Sequence, residues 1–191
     1  MNKQPLFTAQ TIRLTALDAK EDAPALAAWT QDGRYIPLSD DTPPHPMLTV
    51  QAQKMLEELL KEADEKKNTF WFGIRTLDET ELLGIIGLAW VDWSNGAAFI
   101  ELTMKDLAAY SQPSTQEALV LMQRYVFHEL QMHRLSLRVP AYNEELAAVL
   151  QRMGFAEEVC RREASYRFGR RWDVVHFGLL ARDWEKRKVD D

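Results

Sequence analysis

Apolar and polar residues alternate over residues 11–17, the period of a strand with one face buried. Asp18 then offers an N-cap, and Glu21, three residues on, gives capping-box spacing. A short helix is predicted through residues 23–29, with Pro24 tolerated in its first turn. Between Arg34 and Met47 no period holds. Pro37, Pro43, Pro44 and Pro46 exclude a regular helix or central strand there, so a long loop of the kind that carries function is expected. Helical spacing returns over residues 49–67. Met55, Leu56, Leu59, Leu60 and Ala63 share one face, and Glu57, Glu58, Lys61 and Glu62 lie outside it.

Residues 69–77 are aromatic and β-branched, and Asp78-Glu79-Thr80 turns the chain. The apolar run over residues 82–93 suits a strand covered on both faces. Ser94-Asn95-Gly96 is a second turn, and residues 97–104 form another strand. Residues 114–130 carry the clearest helical pattern, with Leu119, Met122, Val126 and Leu130 on one face and a second capping-box spacing from Ser114 to Glu117. A strand over residues 134–139 and a helix over residues 143–153 follow, the helix ending at Gly154. Residues 164–168, Gly169 and residues 173–181 read as a closing hairpin. The predicted class is α/β (α+β), a mixed, mostly antiparallel central sheet flanked by helices. At 191 residues the whole chain, 1–191, is expected to be a single domain.

Composition narrows the function. The chain is 46% apolar and 27% charged, with a net charge of −6. An acidic balance argues against nucleic acid as partner and is compatible with a cationic acceptor. Cys160 is the single cysteine, so no internal disulfide can form; a small side chain, buried or half-buried, is expected there. No apolar run approaches the roughly 20 residues of a membrane span, and the first residues lack the apolar core of a signal peptide. The expected location is the cytoplasm. His45, His128, His133 and His176 are scattered, and no metal-ligand spacing appears.

Four stretches between Leu82 and Trp184 carry a resemblance. They are Leu83-Gly84-Ile85-Ile86-Gly87-Leu88 with Asp92, Asn95 and Ala98; then Glu117-Ala118-Leu119 with Phe127, Leu130, His133 and Arg134. Next come Val139, Ala141, Asn143, Val149-Leu150 and Gly154-Phe155; last are Arg161, Gly169, Asp173, Leu179-Leu180 and Trp184. In order and spacing they resemble the acyl-CoA N-acetyltransferase (GNAT) superfamily, in the branch that acetylates ribosomal-protein N-termini and small amines.

The resemblance implies acetyl-CoA as co-substrate. In that family a Gln/Arg-x-x-Gly-x-Gly/Ala loop holds the coenzyme's pyrophosphate at a helix N-terminus, where backbone amides converge. The corresponding segment here is Tyr110-Ser111-Gln112-Pro113-Ser114-Thr115, which has no glycine. Pro113 removes an amide donor, and Ser114 as a helix cap would take another. The remaining donors, from Ser111, Gln112, Ser114 and Thr115, are the expected pyrophosphate contacts, weakened relative to the family loop. Leu102 and Met104 lie on the strand whose backbone binds the pantetheine arm in relatives, and Asn143 matches an asparagine facing that arm. An Asx turn or helix cap explains Asn143 equally well. The family's tyrosine acid falls on Leu150 here, a family serine falls on Leu146, and Tyr142 is out of register.

Attack on a thioester requires a neutral amine, so a base must take one proton. Glu101, at the position of a family carboxylate, is the first candidate for that catalytic role, followed by Asp92 and His133. The acceptor pocket implied by the resemblance lies under the 34–47 loop, with Asp40 and Asp41 as ammonium partners and Trp90, Trp93 and Phe99 as aromatic lining or core. The acceptor is a small-molecule amine or a protein N-terminus; neither nucleic acid nor membrane is implied. Six tryptophans leave room for an apolar interface in a homodimer. The alternative is a GNAT-fold binding or regulatory module that has lost efficient catalysis.

Overall fold

The structure, a computed structural model, describes residues 5–38 and 44–190. Seven strands form one sheet in the order β1-β2-β3-β4-β5-β7-β6. They are β1 (Ile12–Thr15), β2 (Phe70–Thr76), β3 (Leu82–Asp92), β4 (Ala97–Met104), β5 (Arg134–Pro140), β6 (Ala156–Arg167) and β7 (Arg170–Leu180). Neighbours are antiparallel except β4 and β5, which run parallel. The helices are α1 (Ala19–Trp29), α2 (Thr49–Lys66), α3 (Pro113–Arg124), α4 (Glu144–Arg152) and α5 (Ala181–Asp190). Among the described residues, no helix is long and apolar enough to cross a membrane.

The apolar run of β3 divides the core. Successive side chains of a strand point to opposite faces, so Ile85 joins Leu26 and Leu56 under α1 and α2. Ile86 and Leu88 join Leu119 and Met122 of α3 and Val149 of α4 on the other face. All three β3 residues are fully buried, as a strand covered on both faces requires.

Caps set the helix starts, and several differ from expectation by a residue or more. Asp18 caps α1, its carboxylate accepting from the Lys20 and Glu21 amides at 2.9 Å. Asp22, not Glu21, closes the box by accepting from the Asp18 amide at 2.9 Å. Asp22 is buried and ion-paired with Arg75, which also donates to the Thr15 hydroxyl at 3.0 Å. Because α1 begins at Ala19, Pro24 lies in its second turn rather than its first. Similarly, α3 begins at Pro113 after an extended Gln112. Proline's fixed φ suits a first helical position, so Ser114 is inside the helix and is not its cap. Glu117 turns instead to Thr11, accepting from its amide at 2.9 Å and its hydroxyl at 3.0 Å.

Regular helix stops at Arg124. Residues Tyr125–Glu129 form a π-turn, closed by the Leu130 amide on the Tyr125 carbonyl at 3.0 Å. Gly154, at φ +86°, ends α4 in the left-handed region, and β6 starts two residues later. That is well before the hairpin start expected at 164. β6 is the outer strand of the sheet and exposed along most of its length, so it carries no apolar alternation to read. Cys160 lies on it and is exposed, contrary to the expected burial. The tail is also helical: Trp184 of α5 packs on Phe127 with ring centroids 5.0 Å apart.

Candidate functional site

β4 and β5 pair only from Ala97–Arg134 to Ile100–Leu137. Beyond Ile100, β4 stays with β3 (Glu101 opposite Gly87, Met104 opposite Gly84), while β5 stays with β7 (Arg138 opposite His176, Pro140 opposite Val174). The sheet therefore opens into a split at the C-terminal ends of the two parallel strands.

The chain's own Tyr110 stands in this split. It is fully buried, at 1% exposure, on a short 3-10 helix, Ala108–Ser111. Its hydroxyl accepts from the Met104 amide at 3.3 Å and donates to the Leu102 carbonyl at 3.4 Å. Burial pushes its phenol pKa well above the usual tyrosine range. The short helix packs on α4. It is held by Asp106, which accepts from the Ala109 amide at 2.8 Å, and by the Thr115 hydroxyl, which donates to the Ala109 carbonyl at 2.8 Å. What remains of the split is a cavity of about 40 Å³ lined by Glu101, Leu102, Tyr110, Arg138 and Asn143. That is room for about one water molecule.

A second cavity, of about 210 Å³, lies on the α1–α2 face. Tyr35, Leu38, Met47, Met55 and Leu59 line it, together with Thr30, His45 and Glu101. Its wall is held from several directions. The Thr103 hydroxyl donates to the Ile36 carbonyl at 2.5 Å, and Arg167 donates to the carbonyls of Gly33 at 2.8 Å and Tyr35 at 2.6 Å. Thr30 accepts from the Met47 amide at 2.9 Å. Burial pushes the Tyr35 phenol up to about 12.

Glu101 is the polar side chain that lines both cavities. Alternation along β4 explains its position: Ile100 and Leu102 face the α3–α4 core, and Glu101 and Thr103 face the other way. Its Oε1 accepts from Arg138 Nη2 at 3.5 Å, across the split.

The structure thus brings together Glu101, Leu102, Met104 and Asn143 around Tyr110. Asn143 is buried and caps α4, accepting from the Leu146 amide at 3.2 Å, and it also lines the smaller cavity. The hydroxyl donors of the 110–115 segment are otherwise placed. Ser111 donates to the Ala108 carbonyl at 3.0 Å. Thr115 is fully buried, its hydroxyl turned to Ala109 and its amide to the Gln112 carbonyl at 3.1 Å. Gln112 and Ser114 remain at the helix end beside a surface depression that also includes Lys105.

Other candidates are corrected by the parallel β4–β5 pairing, which puts the strand starts at the end opposite the split. Asp92 is in the turn before β4, accepting from the Ser94 and Asn95 amides at 3.1 Å and the Asn95 side chain at 2.7 Å. The Asn95 side chain leads in holding its carboxyl below the usual range. His133 is exposed just before β5, its amide on the Gly96 carbonyl at 2.6 Å. Trp90 and Trp93 are half-exposed near the same end and, with Phe99, line neither cavity. Asp40 and Asp41 lie outside the described residues. Leu150 is buried core, and the Tyr142 ring packs on Phe168 and Trp172 at 5.5 and 5.7 Å.

Sequence reasoning did not single out Arg138, Tyr35 or the Met47–Met55–Leu59 wall. One signal was present: α2 carries a wider apolar stripe than its core contact uses. Ala52 and Leu56 are buried, and Met55 and Leu59 are left half-buried at the cavity.

A family model described as an acetyltransferase (GNAT) domain matches residues 11–156. YdaF of Bacillus subtilis (strain 168), provisionally named a ribosomal N-acetyltransferase, is 39% identical over 64 residues, 34% of this chain and 35% of that protein. YjcK of the same organism, provisionally named an N-acetyltransferase, is 32% identical over 118 residues, 60% of this chain and 64% of that protein. The matched stretches thus span less than two thirds of these curated relatives. Among solved structures, RimL, a ribosomal L7/L12 alpha-N-protein acetyltransferase in complex with coenzyme A, superposes with a TM-score of 0.74 at 19% identity, covering 90% of this chain and 95% of that one. A spermidine N-acetyltransferase SpeG chimera from Vibrio cholerae and hSSAT gives 0.74 at 18%, covering 93% and 100%. At these identities the likeness is one of fold.

Proposed function

Since the chain belongs to the GNAT acetyltransferase family, we propose that it transfers an acetyl group from acetyl-CoA to a primary amine, in the manner of the ribosomal-protein and small-amine branch. Residues 1–191 act as one such domain in this reading. The observation that carries it is Glu101, the carboxylate common to the split and to the larger cavity. An ammonium held in the larger cavity meets Glu101 at the end nearest the split. Glu101, directly or through one water, takes a proton from it. The neutral nitrogen then attacks the thioester carbonyl; a C–N bond forms, the C–S bond breaks, and the second proton shed by the nitrogen ends on the departing thiolate, giving the thiol.

The fit on the coenzyme side is partial. Tyr110 already uses the Leu102 carbonyl and Met104 amide, groups that bind the pantetheine arm in relatives. The segment Ala108–Ser111 must therefore move aside, and that displacement lowers the apparent coenzyme affinity. Gln112 and Ser114 at the start of α3 are the donors best placed for the pyrophosphate. Tyr110 in the split adds to the glycine-free segment and the missing tyrosine at Leu150 behind the reading of a catalytically impaired module; family membership favours the enzyme. In this reading the reaction takes place in the cytoplasm, which the lone free thiol and the proposed use of acetyl-CoA support.

Calorimetric titration with acetyl-CoA, paired with a thiol-release assay on primary amines, tests the proposal. The expected result is heat of binding at high micromolar to millimolar coenzyme, together with amine-dependent thiol release. No heat and no thermal shift at millimolar coenzyme would overturn it.

A further inference from the structure

The described lining of the larger cavity is mainly apolar. Tyr35, Leu38, Met47, Met55 and Leu59 present apolar surface beside Thr30 and His45, and among the described lining residues Glu101 is the only carboxylate. We propose that this cavity takes a bulky apolar group of the acceptor while the acceptor's single ammonium faces Glu101. The acceptor class is then a monoamine with a branched or aromatic body, either a free amine or the N-terminal residue of a peptide. This rests on the acetyl-transfer reading and narrows its substrate.

Size and construction support it. A dry cavity of about 150 Å³ holds a benzene ring, and this one has about 210 Å³. The wall at Gly33, Tyr35, Ile36 and Met47 is fixed by Thr103, Arg167 and Thr30, so that part of it is built into the fold. Met47 and Met55 supply adaptable thioethers, suited to apolar groups of more than one shape. Each methylene buried there adds about fourfold in affinity.

Binding to the free full-length chain is measured by calorimetry for 2-phenylethylamine, 3-methylbutylamine, ethanolamine, spermidine and short peptides beginning with phenylalanine or serine. Acetyl transfer to the same panel is followed by thiol release. Both apolar amines are expected to bind at least tenfold tighter than ethanolamine and spermidine, and the phenylalanine peptide tighter than the serine peptide. A larger preference among peptides than among free amines assigns the source to a protein N-terminus; the reverse assigns it to a small molecule. Leu59→Trp, which fills the cavity with apolar bulk, should remove the preference. Met55→Asp, checked for folding by circular dichroism, should shift it toward spermidine. Ethanolamine or spermidine binding as tightly as the apolar amines would overturn the proposal even if acetyl transfer proceeds. Binding in the expected order with no transfer would instead sink the acetyltransferase reading and leave the pocket assignment standing.

Discussion

At Glu101 two volumes meet that are built in opposite ways. In the split the strands have parted, but about 40 Å³ is left, lined also by Ile36, Pro37 and Leu38, because Tyr110 fills the gap and bonds the β4 backbone. On the α1–α2 side about 210 Å³ stays open, although its walls are apolar and would gain from closing. The difference lies in what holds each wall. The larger cavity is bounded by a loop whose carbonyls are tied to Thr103 and Arg167, so it cannot collapse without breaking hydrogen bonds to a buried guanidinium. The split is bordered by unpaired strand backbone, which needs partners, and a tyrosine hydroxyl supplies them. A ligand entering the split competes with an internal group; among the described residues none occupies the larger cavity in that way.

Four variants test this contrast, from the largest effect down. Tyr110→Ala should cost about 3–5 kcal/mol of stability, read from chemical denaturation, because it leaves a large void in packed core. The same variant should bind acetyl-CoA about tenfold tighter by calorimetry. Lost stability with no tighter binding would mean that Tyr110 is packing alone and does not guard the split. Glu101→Gln should lower kcat about a hundredfold, or about 2.7 kcal/mol, with melting temperature and coenzyme affinity little changed. A loss confined to KM would make Glu101 a binding group only.

Arg167→Ala should cost about 2 kcal/mol and loosen the wall at Gly33 and Tyr35. Apolar amines should then lose affinity while acetyl-CoA binding holds. The mildest test is alkaline. Tyr35 is neutral when folded and its pKa is pushed up to about 12, whereas in the unfolded chain it ionises near 10. The folded state therefore keeps a proton that the unfolded state releases. The contribution is intact below pH 10 and is lost as pH rises toward 12, costing about 1.4 kcal/mol near pH 11. Denaturation midpoints from pH 9 to 11 should fall less steeply in Tyr35→Phe than in the unaltered chain.

Much of the framework was legible before the structure. The β3 run announced a strand buried on both sides, Asp18 announced the start of α1, and Gly154 the end of α4. Strand β4 was bounded correctly at Ala97 and Met104. The less legible elements share a cause. β6 from Ala156 to Glu163 is polar because it is an exposed edge, and an edge strand owes its existence to the neighbour it pairs with. In the candidate site, Glu101 and Asn143 were found through family position, and Asn143 also by its capping chemistry. The roles of Arg138 and Tyr110 were not found, since neither belongs to a local pattern.

Local spacing along the chain determined which residues could be strand, helix or turn, and which faces were apolar, because backbone geometry repeats every two or 3.6 residues. The sequence also showed that residues 110–115, which correspond by resemblance to the family's coenzyme loop, contain no glycine. Only the tertiary structure decided what that absence means. With β4 held by β3 and β5 held by β7, a gap opens between segments more than thirty residues apart. Whatever side chain reaches it must satisfy the freed backbone groups as well as fill the space. Tyr110 does both, and the carboxylate one strand position before Leu102 is left facing the open cavity on the other side.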